Sequence, residues 1–208
     1  MKMAIAEALL HSHTYTEYRS IVSDLLSQGK STGTEQSEEI LHYSKLNEVR
    51  MNRLDRTIVI AEDVIRDLLS LNKQYLWLVI SEGWCGDAAQ LLPIMNKMAA
   101  IAPGVQMKVV FRDQNPVLMD GFLTNGARSI PKLILIDSHT MNVLGSWGPR
   151  PNGASELIKS YKLQYGVVDE TAKTELQLWY LHDKGLSTQR EILQMMLDSE
   201  TFYLKRNI

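Results

Sequence analysis

The chain has 208 residues, a hydrophobic fraction of 45%, a charged fraction of 22% and a formal net charge of −2 at pH 7. These proportions are typical of a soluble globular protein, and the near-neutral charge argues against a nucleic-acid partner. No apolar run approaches the roughly 18 residues of a membrane-spanning helix, and the N-terminal segment is too short and too polar for a secretory signal. A single cysteine allows no internal disulfide, so we predict a cytoplasmic, reducing location.

The N-terminal quarter of the chain, residues 1–56, is predicted to be helical throughout, apart from a turn at 31–37. Its apolar residues recur at helical spacing in two stripes, one on each side of this turn. Arg50, Arg53 and Arg56 cluster near the end of the second helix, where positive charge suits the helix dipole. An anion-binding role for the three arginines is the alternative interpretation of their spacing.

From residue 57 the pattern changes to alternating strands and helices, which predicts an α/β fold. We expect helical N- and C-terminal extensions at 1–56 and 167–208, with an α/β domain at 57–166 between them. The extensions are predicted to pack on the core, over a sheet face or an edge strand, with a homodimer interface as the alternative. The predicted strands are 75–81, 105–113, 131–137 and 143–147, and residues 57–60 are predicted to be a short strand or a lead-in to the next helix. The predicted helices are 61–74, 87–100, 115–127, 154–166, 169–185 and 187–205.

The only cysteine lies in EGWCGDAAQLLP, residues 82–93, between a predicted strand and a predicted helix. WCGDAAQLLP resembles the W-C-G-P-C-x-x-x-x-P motif of the thioredoxin superfamily. Trp84, Cys85 and Gly86 match, and Pro93 falls where thioredoxins kink their active-site helix. The resemblance implies a thioredoxin-like central sheet flanked by helices.

A second segment, RSIPKLILID, resembles the part of thioredoxins that holds their cis-proline, which makes Pro131 that residue and Ile130 the one before it. In the family this turn packs beside the cysteine and offers backbone groups to an extended substrate chain. The resemblance therefore implies that Cys85 is the catalytic thiol. It also implies a substrate groove formed by Trp84, Gly86, Asp87, Ile130 and Pro131.

Three departures from the family pattern concern the second, resolving thiol. Ala88 stands at the place of the resolving cysteine, and Val79 and Val109 replace the buried Asp and Lys that assist proton transfer to it in the family. Without an internal thiol to release a mixed disulfide at Cys85, dithiol reductase activity is excluded.

Two charged residues near the cysteine each admit two interpretations. Asp87, which stands at the place of the family's proline, suits the first turn of a helix. Its charge raises the pKa of the Cys85 thiol, whereas the helix start lowers it, so the sequence leaves the net direction open. Alternatively, Asp87 orients a polar substrate. Arg150 either packs in a rigid turn or lines the groove and binds an anionic group such as a carboxylate.

Three functions remain open. We place first a monothiol redox protein whose partner is a protein or peptide thiol or disulfide. An external thiol, such as glutathione as a co-substrate, resolves its mixed disulfide. A non-catalytic peptide- or protein-binding module is the alternative. A peroxide-reducing enzyme comes last, because its activating Arg and Thr/Ser constellation is not identified. We predict no resident cofactor, no metal site, and no nucleic-acid or membrane partner.

Overall fold

The structure, a computed structural model, describes residues 1–204 and the side chains of residues 1–200. The last four residues of the predicted C-terminal extension, 205–208, lie outside the described residues. The helices are α1 Lys2–Leu10, α2 Tyr15–Ser27, α3 Glu38–Thr57, α4 Glu62–Leu69, α5 Gly86–Ile101, α6 Pro116–Asp120, α7 Asn152–Tyr165, α8 Glu170–Asp183 and α9 Leu186–Leu204. The strands are β1 Tyr75–Ser81, β2 Val105–Phe111, β3 Lys132–Asp137 and β4 Val143–Trp147.

The four strands form one mixed sheet in the order β2-β1-β3-β4. β1 is parallel to β2 and antiparallel to β3, and β3 is antiparallel to β4. Every residue of β1 and of β3 is buried, as expected for central strands covered on both faces. The α/β prediction is thus confirmed, and β1 leads directly through the W-C-G loop into α5.

Helix α5 fixes the position of the cysteine because it is the most deeply packed helix near the sheet. It contacts α3, α4, α9 and β2, and eleven of its sixteen residues are buried. Pro93 lies inside α5. Within residues 1–204, none of the helices is both long and apolar enough to cross a membrane.

The prediction of an unbroken first helix is wrong at residues 11–14. His13 pairs there with Val109 through two backbone hydrogen bonds, of 2.8 and 2.7 Å between N and O. The bridge occupies the free edge of β2, which would otherwise expose unpaired backbone groups. A capping box then restarts the helix, since Thr14 and Glu17 each accept a hydrogen bond from the other's backbone N–H.

Of the two alternatives for residues 57–60, the strand is wrong and the lead-in to α4 describes the segment. Side chains, rather than a neighbouring strand, bind its backbone. Gln189 accepts from the Ala61 N–H at 2.9 Å and donates to the Val59 carbonyl at 3.0 Å. Lys97 donates to the preceding carbonyl, that of Ile58. These partners lie on α9 and α5, so local sequence could not reveal them.

Candidate functional site

The W-C-G loop is held in place by hydrogen bonds from the N-terminal segment. The Gly83 N–H donates to Thr32 Oγ1 at 2.7 Å, and the Gly83 carbonyl accepts from Asn47 Nδ2 at 3.0 Å. Trp84, the next residue, is half-buried and stacks against the Arg112 guanidinium, 4.7 Å from the ring centroid. The loop conformation therefore depends on contacts from α3 and the segment before it.

Cys85 occupies the N-cap position of α5, where its sulfur is enclosed by backbone groups. Sγ accepts a hydrogen bond from the Ala88 N–H at 3.4 Å and donates its S–H to the Ile130 carbonyl at 3.3 Å. The residue is only 7% exposed. The thiol is therefore satisfied within the protein rather than presented to solvent.

The pKa of the Cys85 thiol is raised to about 12, chiefly by burial and secondly by the charge of the neighbouring Asp87 carboxylate. Backbone N–H groups of Ala88 and Asp87, together with the charge of Arg150, act in the opposite sense but do not prevail. The direction that the sequence left open is thus upward. The helix start stabilises a thiolate, but desolvation of the buried sulfur outweighs it.

Apolar side chains occupy the three positions at which the family has the resolving cysteine and its two charged helper residues. Val79 and Val109 face each other as direct partners in the β1–β2 ladder, and both are fully buried. Ala88 is 1% exposed. The charged pair of the family is thus replaced at both positions by side chains that suit the dry interior of the sheet.

A buried carboxyl that the sequence analysis gave no role lies just before the W-C-G loop. Glu82 is fully buried, and its Oε1 accepts from the Asp113 N–H at 3.0 Å. Burial raises the pKa of Glu82. A single Glu after an apolar strand carries no sequence signal that separates a buried carboxyl from an exposed one.

The Pro131 turn lies against the loop that follows β4. The Ile130–Pro131 and Gly148–Pro149 peptide bonds are both cis, and Ile130 and Pro131 are buried. Gly148 has a φ of +111°, and a Cβ there would lie 2.3 Å from the Pro131 carbonyl oxygen. The two loops are thus in close contact two residues before Arg150.

Gly148→Ala is therefore expected to destabilise the protein by at least about 2 kcal/mol, from backbone strain plus displacement of the Pro131 turn. Urea unfolding midpoints measure the effect. Gly126→Ala is the matched control, because Gly126 has a φ of +77° but open space around its Cβ position. Equal losses for both variants would show that the contact with Pro131 has no energetic role.

Asp87 and Arg150 meet at the start of α5 together with Tyr180 from α8. Asp87 Oδ2 lies 2.8 Å from Arg150 Nη2, and Asp87 Oδ1 accepts from the Tyr180 hydroxyl at 2.9 Å. The Asp87 side chain is 10% exposed and that of Arg150 is 28% exposed. Arg150 thus lies at the start of α5, where Asp87 balances its charge.

A cleft of about 370 Å³ opens beside this cluster, between α3 and α8. It brings together four of the predicted groove residues, whereas Cys85, Ile130 and Pro131 are not among its described lining residues. The lining consists of Trp84, Gly86, Asp87 and Arg150 with His42, Tyr43, Leu46, Arg50, Glu170, Lys173, Thr174, Leu176 and Gln177. Of the residues outside the predicted groove, only Arg50 had carried a sequence signal.

The parallel β1–α5–β2 unit, the antiparallel β3–β4 pair and the cysteine at the start of α5 define a thioredoxin-like α/β protein. A family model described as thioredoxin matches residues 33–162, more than half of the chain. The chain therefore belongs to the thioredoxin family. The match begins inside the predicted N-terminal extension, and the division of the chain into three segments stays a prediction.

Two solved structures are similar to the chain. One is a protein of unknown function from Pseudomonas aeruginosa, PA1234, with 15% identity and a TM-score of 0.57 over 90% of this chain and 99% of that one. The other is an HIV epitope scaffold, with 16% identity and a TM-score of 0.56 over 89% and 99%. At these identities the likeness shows the fold alone. No curated protein matches the chain.

Proposed function

We propose that the chain is a binding module on a thioredoxin fold, in which Cys85 is a structural thiol and the neighbouring cleft holds the ligand. The placement of the thiol carries this proposal. Cys85 is 7% exposed, donates its S–H to the Ile130 carbonyl and does not line the cleft. Reactive cysteines instead have a lowered pKa and an accessible sulfur.

The Pro131 turn gives a second argument for a binding role away from the thiol. The Ile130 carbonyl, a backbone group of the kind that pairs with substrate in the family, accepts the hydrogen of Cys85. Ile130 itself is 6% exposed. An extended substrate chain could pair there only after Cys85 and its surroundings had moved.

Monothiol exchange is the second candidate, and two contacts favour it. The Ala88 N–H and the Arg150 charge both stabilise a thiolate at Cys85. In such a reaction the thiolate attacks a protein or peptide disulfide, forming a mixed disulfide and releasing one thiolate. Glutathione thiolate then attacks the substrate sulfur bound to Cys85, the Cys85 thiolate leaves, and a glutathione–substrate disulfide is released.

Glutathione-dependent reduction of a small mixed disulfide separates the two candidates. We expect wild type and Cys85→Ala to show the same rate as the reaction without protein, because the buried thiol of the wild type does not enter exchange. Circular dichroism establishes that the variant is folded. Turnover by the wild type that disappears in Cys85→Ala would overturn the module and establish monothiol exchange.

A cytoplasmic location belongs to the proposal as well. A single buried thiol forms no internal disulfide, so the fold gains nothing from an oxidising compartment.

A further inference from the structure

Among the side chains of residues 1–200, the cleft beside the W-C-G loop contains one arginine that no carboxylate pairs with. Arg150 pairs with Asp87 at 2.8 Å, and Lys173 pairs with Glu170 at 2.6 Å, so these four charges cancel in pairs. Arg50 is different. Within residues 1–200, no carboxylate lies within 4 Å of its guanidinium, although it lines the same cleft.

The Arg50 guanidinium is held in a defined place even without an acidic partner. Nη1 donates to Asn47 Oδ1 at 2.8 Å, and the amide of Asn47 is itself fixed by its bond to the Gly83 carbonyl. Nη1 lies 3.8 Å from the position that a Cβ on Gly86 would take. Asn47 uses one of the five N–H donors of the guanidinium, and the described residues show no other hydrogen bond to it.

We infer that the cleft binds a small organic anion whose carboxylate or phosphate group pairs with Arg50 and whose apolar part contacts Trp84 and Leu46. The inference rests on the proposed function, because it makes ligand binding the role of this cleft. A guanidinium fork matches either oxyanion through paired hydrogen bonds. A volume of about 370 Å³ suits a small molecule rather than a folded partner.

The rest of the lining fits the two halves of such a ligand. Leu46, Leu176 and the half-buried Trp84 supply apolar surface from three different elements. Partial burial disfavours the charged form and lowers the pKa of Arg50, and repulsion by the nearby Arg53 acts in the same direction, whereas Tyr43 opposes both. Within residues 1–200, no carboxylate pairs with Arg50 to add a compensating negative charge. A bound anion would supply that charge and so would gain from the desolvated position of the guanidinium.

The full chain is titrated with sodium benzoate and, separately, with phenyl phosphate. Isothermal titration calorimetry and amide NMR chemical shifts measure the binding. We expect saturable binding of at least one probe, with shifts at Gly86 and Thr174. The probe that binds more tightly distinguishes a carboxylate from a phosphate ligand. Benzylamine, which has a similar ring and the opposite charge, should not bind.

Arg50→Gln should lower the affinity for the probe at least tenfold, the usual effect of losing a charge-assisted pair. Arg50→Lys should lose less, because it keeps the charge without the fork. Arg53→Gln is the matched control, one turn along α3 and outside this cleft, and should bind within about twofold of wild type.

No saturable binding of either anion, or equal affinity in wild type and Arg50→Gln, overturns the inference. Thermal unfolding of each variant ensures that lost binding reflects the site and not the fold. The glutathione assay at Cys85 does not depend on either of these results. Failure of the anion site is thus distinguishable from failure of the binding-module proposal.

Discussion

Cys85 in the folded protein is expected to react with iodoacetamide at pH 8 about a thousandfold more slowly than a free cysteine. Alkylation proceeds through the thiolate, and burial raises the pKa of this thiol to about 12. At pH 8 only a minute fraction of Cys85 is therefore ionised, and the sulfur is enclosed by Ala88 and Ile130. Mass spectrometry of the alkylated fraction against time gives the rate.

The control for this experiment is the same protein in denaturant, where Cys85 should be labelled at the rate of a free thiol. In the folded state, Asp87→Asn should increase the rate, because it removes the second cause of the raised pKa. The rate should still stay well below that of a free thiol, since burial is the larger cause. An apparent pKa below about 7.5 for wild type would contradict the structural role and restore redox chemistry as the leading function.

Asp87→Ala is expected to destabilise the protein by about 3 kcal/mol, the lower end of the effect of breaking a buried ion pair. The substitution leaves the Arg150 guanidinium, 28% exposed, without its counter-charge and removes the acceptor of the Tyr180 hydroxyl. Urea unfolding at pH 7 measures the loss. We thus predict that Asp87 is a structural residue that links α5 to α8 and to the loop after β4.

A surface pair provides the comparison. Glu156 and Lys159 form an ion pair whose side chains are each about two-thirds exposed, so Glu156→Ala should change stability by less than about 1 kcal/mol. Tyr180→Phe should fall between the two, because it removes one hydrogen bond and leaves the ion pair. If Asp87→Ala cost no more than Glu156→Ala, the cluster would have no structural role.

The sequence was sufficient for features that depend on neighbouring residues. The apolar run before Cys85 and the helical spacing after it identified β1, α5 and the corner between them, because strand and helix periodicity are local properties. Motif spacing identified the family, which the match over residues 33–162 confirms. The replacement of the resolving cysteine by Ala88 could likewise be identified from the residue at that one position.

Features that depend on contacts between distant residues could not be predicted from the sequence. Tyr180 is 93 residues from Asp87 along the chain, yet its hydroxyl bonds to that carboxylate. The break at His13 came from pairing with Val109, and the backbone of the predicted strand at 57–60 is bound by Gln189 instead of another strand. In the last two cases a partner supplied by the fold overrode the structure that the local pattern predicted.

The pKa of Cys85 shows the division most directly. A helix start that stabilises a thiolate is a local feature, so the sequence alone predicted the downward contribution to the pKa. Desolvation depends on everything packed around the sulfur, including the Ile130 carbonyl 45 residues away. The sequence determined that one cysteine stands at a thioredoxin corner. Only the tertiary structure decided that the cysteine is buried and its pKa raised. Burial results from contacts with residues far apart in the chain, which no short stretch of sequence contains.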